Sequence, residues 1–162
     1  MGDGSISLIV ALVILVTLSA FFSASETAFS SLNLIRLKSR ADAGDPDAVR
    51  VQMLAARYDS LLSTILIGNN IVNIAAASVG TVLFTRLLGA QLGTTISTIV
   101  LTVIVLVFGE ITPKSLAKEM PERFAFAASP ALQVLVVLFT PLNFLFERWK
   151  RFLSRRFHGS ES

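Results

Sequence analysis

Thr102-Val103-Ile104-Val105-Leu106-Val107-Phe108-Gly109-Glu110-Ile111-Thr112-Pro113-Lys114 carries one carboxylate at the inner end of a run apolar enough for hydrocarbon. A carboxylate near a bilayer centre costs about 2.5–3.5 kcal/mol on insertion scales, so Glu110 marks a functional position. Pro113 sharpens the reading. Proline has no N–H, so a helix running through it leaves the carbonyl four residues back, that of Gly109, without its donor. A side-chain carboxylate and a freed backbone carbonyl then lie on neighbouring residues, with no Cβ on Gly109 to block approach. Two oxygens side by side in a membrane read as a cation site.

Working outward, the rest of the chain is built for lipid. Of its 162 residues, 53% are hydrophobic and 15% charged, and the mean hydropathy is +0.71. These values indicate an integral membrane protein organised as one membrane domain over residues 1–157, with a short tail at 158–162. The net charge of +3 comes from basic residues outside the apolar runs. That is a topology signal and not a nucleic-acid footprint. With no cysteine, disulfides and thiolate metal sites are excluded. The N-terminal stretch has no basic residue ahead of Ile6, unlike a signal peptide.

Four uncharged runs, 4–25, 60–85, 87–109 and 124–146, are each long enough to span about 30 Å. Three crossings with the N-terminus outside put 13 of the 14 basic residues on the cytosolic side, whereas four crossings divide them 8 to 6. The positive-inside rule therefore favours three, over about 5–37, 60–86 and 94–117. Ser129-Pro130 and Thr140-Pro141 have the form of helix starts, and Met120-Pro121 marks a break before them. The fourth run thus reads as short helices joined at corners within 121–156. Its last part sets Leu142, Leu145, Trp149 and Phe152 on one stripe against a basic face, as an interfacial helix does. Asp45-Pro46-Asp47 starts a further juxtamembrane helix over about 46–58, with Gly44 closing the helix before it. Residues 36–43 read as a continuation of the first span, Asp59-Ser60 as the cap of the second, and Thr94-Thr95 as the start of the third. The expected fold is an all-α membrane protein: three transmembrane helices and a belt of juxtamembrane and interfacial helices.

The polar residues of the three spans converge in depth. Ser19 and Ser23 share a face of the first, and Asn69 and Asn73 share a face of the second, with Asn70 one position round. At 1.5 Å per residue, the serines lie about 21–27 Å from the outer face. The asparagines lie about 14–20 Å from the inner face, and Glu110 about 24 Å below Thr94. The donor set is all oxygen, which suits hard cations such as Mg²⁺ or Ca²⁺ rather than zinc or copper. A compact cage near six ligands leans towards Mg²⁺. Each group also has an ordinary use: serine back-bonding to the preceding turn, asparagine joining helices, Glu110 pairing with Lys114, and Glu26 pairing with a basic residue at the boundary.

Phe22-Ser23-Ala24-Ser25-Glu26-Thr27-Ala28-Phe29-Ser30, Gly68-Asn69-Asn70-Ile71-Val72-Asn73 and Gly109-Glu110-Ile111-Thr112-Pro113-Lys114-Ser115-Leu116-Ala117 resemble the transmembrane domain of the CorC/CNNM (cyclin M-like) magnesium transporters. The resemblance implies a homodimer in the inner (plasma) membrane, not an enzyme, with a juxtamembrane helical belt and a cytosolic C-terminus. It further implies Mg²⁺ as the transported ion, export driven by a Na⁺ gradient, and ligands at Ser19, Ser23, the Asn69–Asn73 turn, Gly109 and Glu110. Asn69 and Asn73 fit one face; Asn70 stays eligible. Full-length members of that family continue into a cytosolic CBS-domain pair that binds ATP, which this chain does not include. Two rival roles follow from the same residues: a Mg²⁺-sensing regulator, or a membrane anchor for cytosolic domains.

Overall fold

The computed structural model describes residues 2–158, and its elements are helical. They are α1 (Asp3–Ser30), α2 (Leu34–Asp42), α3 (Pro46–Ala56), α4 (Tyr58–Leu88), α5 (Ala90–Ile104), a π-helical segment (Val105–Ile111), α6 (Thr112–Glu119), α7 (Pro121–Leu138) and α8 (Thr140–His158). Of the expected tail at 158–162, His158 belongs to the last turn of α8, and residues 159–162 lie outside the described residues. Three helices are long and apolar enough to cross a membrane: Asp3–Ser30, Tyr58–Leu88, and Ala90–Glu119, which joins α5, the π segment and α6. At 28 to 31 residues each, they exceed the hydrocarbon thickness and project beyond it at one or both ends.

Their outer surfaces are what lipid requires. Val10, Val13 and Ile14 on α1, Ile71 and Ile74 on α4, and Ile99 and Val103 on α5 are all more than half exposed. In a bilayer these side chains meet acyl tails as apolar as themselves, so packing between helices rests on small residues and close approach. That is the pattern here. Ala24 and Ala28 are buried on α1. A Cβ on Gly68 would enter the Phe22 ring, and one on Gly80 would strike Leu101. One residue, Gly89, turns α4 into α5 at φ +86°, a conformation open to glycine and strained for others.

The belt also forms, with a hydrophobic core that includes Leu37, Val51, Leu54, Ala125 and Leu132. The Asp45 carboxylate caps α3, accepting from the backbone N–H of Asp47 at 3.0 Å and of Ala48 at 3.4 Å, with Pro46 at the first helical position. Gly44 ends the preceding turn at φ +92°. Arg40 ties the belt together: it pairs with Asp45 at 2.7 Å and with Glu122 at 3.4 Å, and lies 4.5 Å over the Phe126 ring. The Arg40 hydrogen bond, aided by the two backbone N–H groups, holds the Asp45 carboxyl below its ordinary value.

Several boundaries differ from the sequence-based expectation. The first span does not run on to residue 37: α1 stops at Ser30, and Asn33 starts α2 by accepting from Arg36 N–H at 3.1 Å. The second span begins at Tyr58 without a side-chain cap, ahead of Asp59-Ser60. The third begins at Ala90, since Gly89 supplies the turn. The Thr94 and Thr95 hydroxyls bond back to the Ala90 and Gln91 carbonyls instead of capping. Ser129-Pro130 does not start a helix, because α7 passes through it. Pro130 withholds the N–H due to the Phe126 carbonyl, and the Ser129 hydroxyl donates to that carbonyl instead, at 3.0 Å. Pro121 and Thr140-Pro141 do sit at helix starts. Around Phe139, α7 and α8 bend by 67°.

Candidate cation site

Three elements bring the polar residues together: α1, α4 and the π segment. Ser19 is buried, and its hydroxyl donates to the Asn69 side-chain oxygen at 3.2 Å. Gly109 packs directly onto it, so that a Cβ at Gly109 would lie 2.9 Å from Ser19 Oγ. One turn along α1, Ser23 is fully buried, and its Oγ has no hydrogen-bond partner among the described residues. One turn along α4, Asn73 Oδ1 is in the same condition.

The ordinary use of a membrane serine is to return its proton to the helix. Ser25 does so, donating to the Phe21 carbonyl at 2.7 Å, and Thr64 likewise to Ser60 at 2.8 Å. Ser19 and Ser23 do not. A buried hydroxyl left unpaired carries a penalty of about 1–3 kcal/mol. Since α1 and α4 run antiparallel, with Gly4 beside Arg86 and Ser19 beside Asn69, Ser23 and Asn73 lie on opposite sides of that bond, about 12 Å apart along the axes. Ser23 is the unpaired hydroxyl that points to a ligand on the belt side.

The π segment sets the last two oxygens. Thr112 N–H bonds to the Val107 carbonyl, five residues back. In an α-helix the Pro113 ring would collide with the Gly109 carbonyl, and widening the turn relieves that collision. Since position 113 has no N–H, it donates neither to Gly109, four residues back, nor to Phe108, five back. Among the described residues no side chain donates to either carbonyl, in contrast to the repair by Ser129 at Pro130.

Glu110 is half-buried and makes no ion pair among the described residues. Lys114 pairs instead with Glu26, at 3.7 Å. Asn70 is exposed, and its side chain joins none of the hydrogen bonds of the cluster. Among the described residues no group of three or more acidic, His or Cys side chains could hold a metal. The cluster's chemistry is that of neutral oxygens with one carboxylate nearby, which favours a hard cation bound weakly enough to leave. Sequence reading passed over Ser97, another buried hydroxyl without a partner. Its signal was the density of hydroxyls in Thr94-Thr95-Ile96-Ser97-Thr98.

Residues 10–162 match the family described as the cyclin M transmembrane N-terminal domain. The chain is 44% identical over 138 residues to the UPF0053 inner membrane protein YfjD of Escherichia coli (strain K12), covering 85% of this chain and 32% of that protein. It is 42% identical over 139 residues to a UPF0053 protein of Haemophilus influenzae, covering 86% and 33%. It is also 38% identical over 114 residues to the chloroplastic DUF21 domain-containing protein At1g55930 of Arabidopsis thaliana, covering 70% and 17%. The chain thus spans about a third of the length of the two bacterial relatives. The matched family is a membrane domain and not a known enzyme family. With its three membrane-length helices and this match along nearly its whole length, the chain belongs to the CNNM family of cyclin M transmembrane domains.

Proposed function

We propose that this domain carries Mg²⁺ across the inner membrane, exporting it against an inward Na⁺ gradient, through the oxygen cluster between α1, α4 and the π segment. The observation that carries this reading is the buried, unpartnered Ser23 Oγ one turn from the Ser19–Asn69 bond, onto which Gly109 packs. Ser19, Ser23, Asn69, Gly109 and Glu110 supply the ligands, and Asn73 stands one turn outward of them. Asn70 is exposed and one position round α4 from Asn69, and it serves only if α4 turns.

Mg²⁺ sheds its water reluctantly, so a site of neutral oxygens with one carboxylate is suited to passing the ion on rather than storing it. The working unit is a homodimer, with the N-terminus outside and the basic C-terminal helix on the cytosolic side. In the longer relatives, the remaining two thirds of the protein leave room for a cytosolic CBS-domain pair.

Purified protein in Mg²⁺-loaded liposomes tests the proposal. Mg²⁺ efflux that rises with an opposing Na⁺ gradient is the expected result. Binding without flux makes the domain a sensor. Absence of specific binding leaves it an anchor.

A further inference from the structure

The hairpin of α4 and α5 holds a second polar feature. A groove of about 230 Å³ runs along it, lined by Asn73 and Thr81 of α4 and by Ser97, Thr98 and Thr102 of α5. Asn73 and Thr81 are about 12 Å apart along the helix axis. Ser97 is 1% exposed, and its hydroxyl has no partner among the described residues. The three threonines are occupied differently. Thr81 donates to the Ala77 carbonyl at 2.8 Å, Thr98 to Thr94 at 3.0 Å and Thr102 to Thr98 at 2.5 Å. A hydroxyl has one proton to give, so each of these presents only lone pairs to the groove. Asn73 adds an unpartnered carbonyl oxygen. The polar lining is thus rich in acceptors, a surface for water and cations.

Position gives the groove its meaning. Asn73 lines this groove and stands one turn outward of Asn69 in the candidate site. From there the groove climbs α4 towards Leu88, away from the belt. Its lining includes no carboxylate, so a hydrated cation would meet lone pairs but no charge to arrest it.

We infer that this groove is the outward arm of the cation's route, a hydrated passage from the Asn73 level into the half of the membrane opposite the belt. This rests on the reading of the three-element cluster as a cation site. In this conformation the passage is shut above Thr81. There Gly93 packs on α4 so closely that a Cβ would lie 2.5 Å from the Phe84 carbonyl oxygen. Release of the ion requires that contact to part.

The chain contains no cysteine, so single cysteines can be placed without a background. In proteoliposomes, a water-soluble cationic methanethiosulfonate reagent is added to both sides of Ser97→Cys and Thr98→Cys. Ile99→Cys and Val103→Cys, on the lipid-facing side of α5, are the controls. A thiol ionises where water reaches it and stays protonated in an apolar setting, so the groove cysteines should react about tenfold faster or more. Mg²⁺ should slow them. Equal rates at all four positions would make the groove dry and overturn the passage. Ala77→Phe then fills the groove without touching the cluster: Mg²⁺ flux should be lost while thermal stabilisation by Mg²⁺ is kept. Undiminished flux would also overturn it. If wild-type protein gains no stability from Mg²⁺, the cation site itself fails, whereas stabilisation with a dry groove sinks only the passage. Should Ala77→Phe not fold, the labelling rates decide.

Discussion

Lys114 reaches from α6 to Glu26 on α1, its Nζ 3.7 Å from the carboxylate, and Glu110, one turn before it, makes no ion pair among the described residues. Glu26 and Glu110 are thereby separated in role. Glu26 joins α6 to α1, while Glu110, half-buried beside Gly109, pairs with no basic side chain among the described residues.

Glu110→Gln should therefore remove the response to Mg²⁺ without removing the fold. The substitution keeps shape and one carbonyl oxygen but deletes the one anionic ligand proposed. Without Mg²⁺ its stability should hold or rise, because a carboxylate placed in an apolar setting costs free energy. At Mg²⁺ about a hundredfold above its dissociation constant, wild-type protein should gain about 2.7 kcal/mol. Thermal unfolding of both proteins, with and without Mg²⁺, measures this. Equal gains would return Glu110 to a structural role.

Ser23→Ala separates stability from binding by sign. The hydroxyl is buried and unpartnered, so its removal should relieve part of an unsatisfied-group penalty of about 1–3 kcal/mol. The variant should be as stable as wild type or more so when metal-free, and bind Mg²⁺ more weakly. Ser19→Ala should differ, because it also breaks the bond to Asn69, worth about 0.5–1.5 kcal/mol. A metal-free Ser23→Ala less stable than Ser19→Ala would mean that Ser23 has a partner in the working protein.

The three membrane-length helices and the Asp45-Pro46 cap were legible because each depends on a local property, hydropathy over a window or an N-cap followed by proline. Ser129-Pro130 and Thr140-Pro141 show where that stops. In sequence the two pairs read alike, yet one lies inside α7 and the other opens α8. The difference is tertiary: α7 packs along α1 and α3, and the Ser129 hydroxyl covers the carbonyl that Pro130 exposes. The cluster was legible as a stripe on each helix, but the absence of back-bonding at Ser19 and Ser23 was not, since a serine's rotamer is set by its neighbours. The π register is likewise a packing outcome, with only Pro113 as its trace.

Asp45 makes the belt sensitive to acid. Its carboxyl lies below the ordinary value of 3.8, chiefly because Arg40 donates to it. A depressed carboxylate stabilises the folded state fully above the unfolded value, and that contribution is lost as pH falls through the folded value. Wild-type thermal stability should thus drop below the ordinary 3.8. Asp45→Asn should show a smaller drop, while starting lower at neutral pH. A pH profile of melting temperature for the two proteins checks this. Parallel curves would remove Asp45 from the acid response.

Cysteines at Ser154 and Ala43 should both be labelled from the cytosolic side by an impermeant reagent, since three crossings leave α8 and the α2–α3 turn together there. Ala43 is preferred to Gly44, whose φ of +92° would strain a cysteine. Labelling of Ser154→Cys only from the outside would mean that α7 and α8 together make a fourth crossing.

Pro113→Ala tests whether the π segment exists to present carbonyls. The substitution touches no side-chain ligand, yet it restores an N–H at position 113 and removes the ring that collides with Gly109. Both changes favour the ordinary helical register, in which the Gly109 carbonyl is consumed by the new donor. The helix should gain stability, because proline in a helix interior costs about 3 kcal/mol. Mg²⁺ binding should weaken, because one oxygen is withdrawn and Glu110 rotates with the turn. Gly109→Ala should weaken binding by another route, its methyl crowding Ser19 Oγ at 2.9 Å. It should also lower stability, by about 1–3 kcal/mol for overpacking. The opposite stability signs of two substitutions that both impair binding distinguish a register effect from a steric one. Unchanged Mg²⁺ affinity in a folded Pro113→Ala protein would show that the Gly109 carbonyl is not a ligand, and that the π turn serves packing alone.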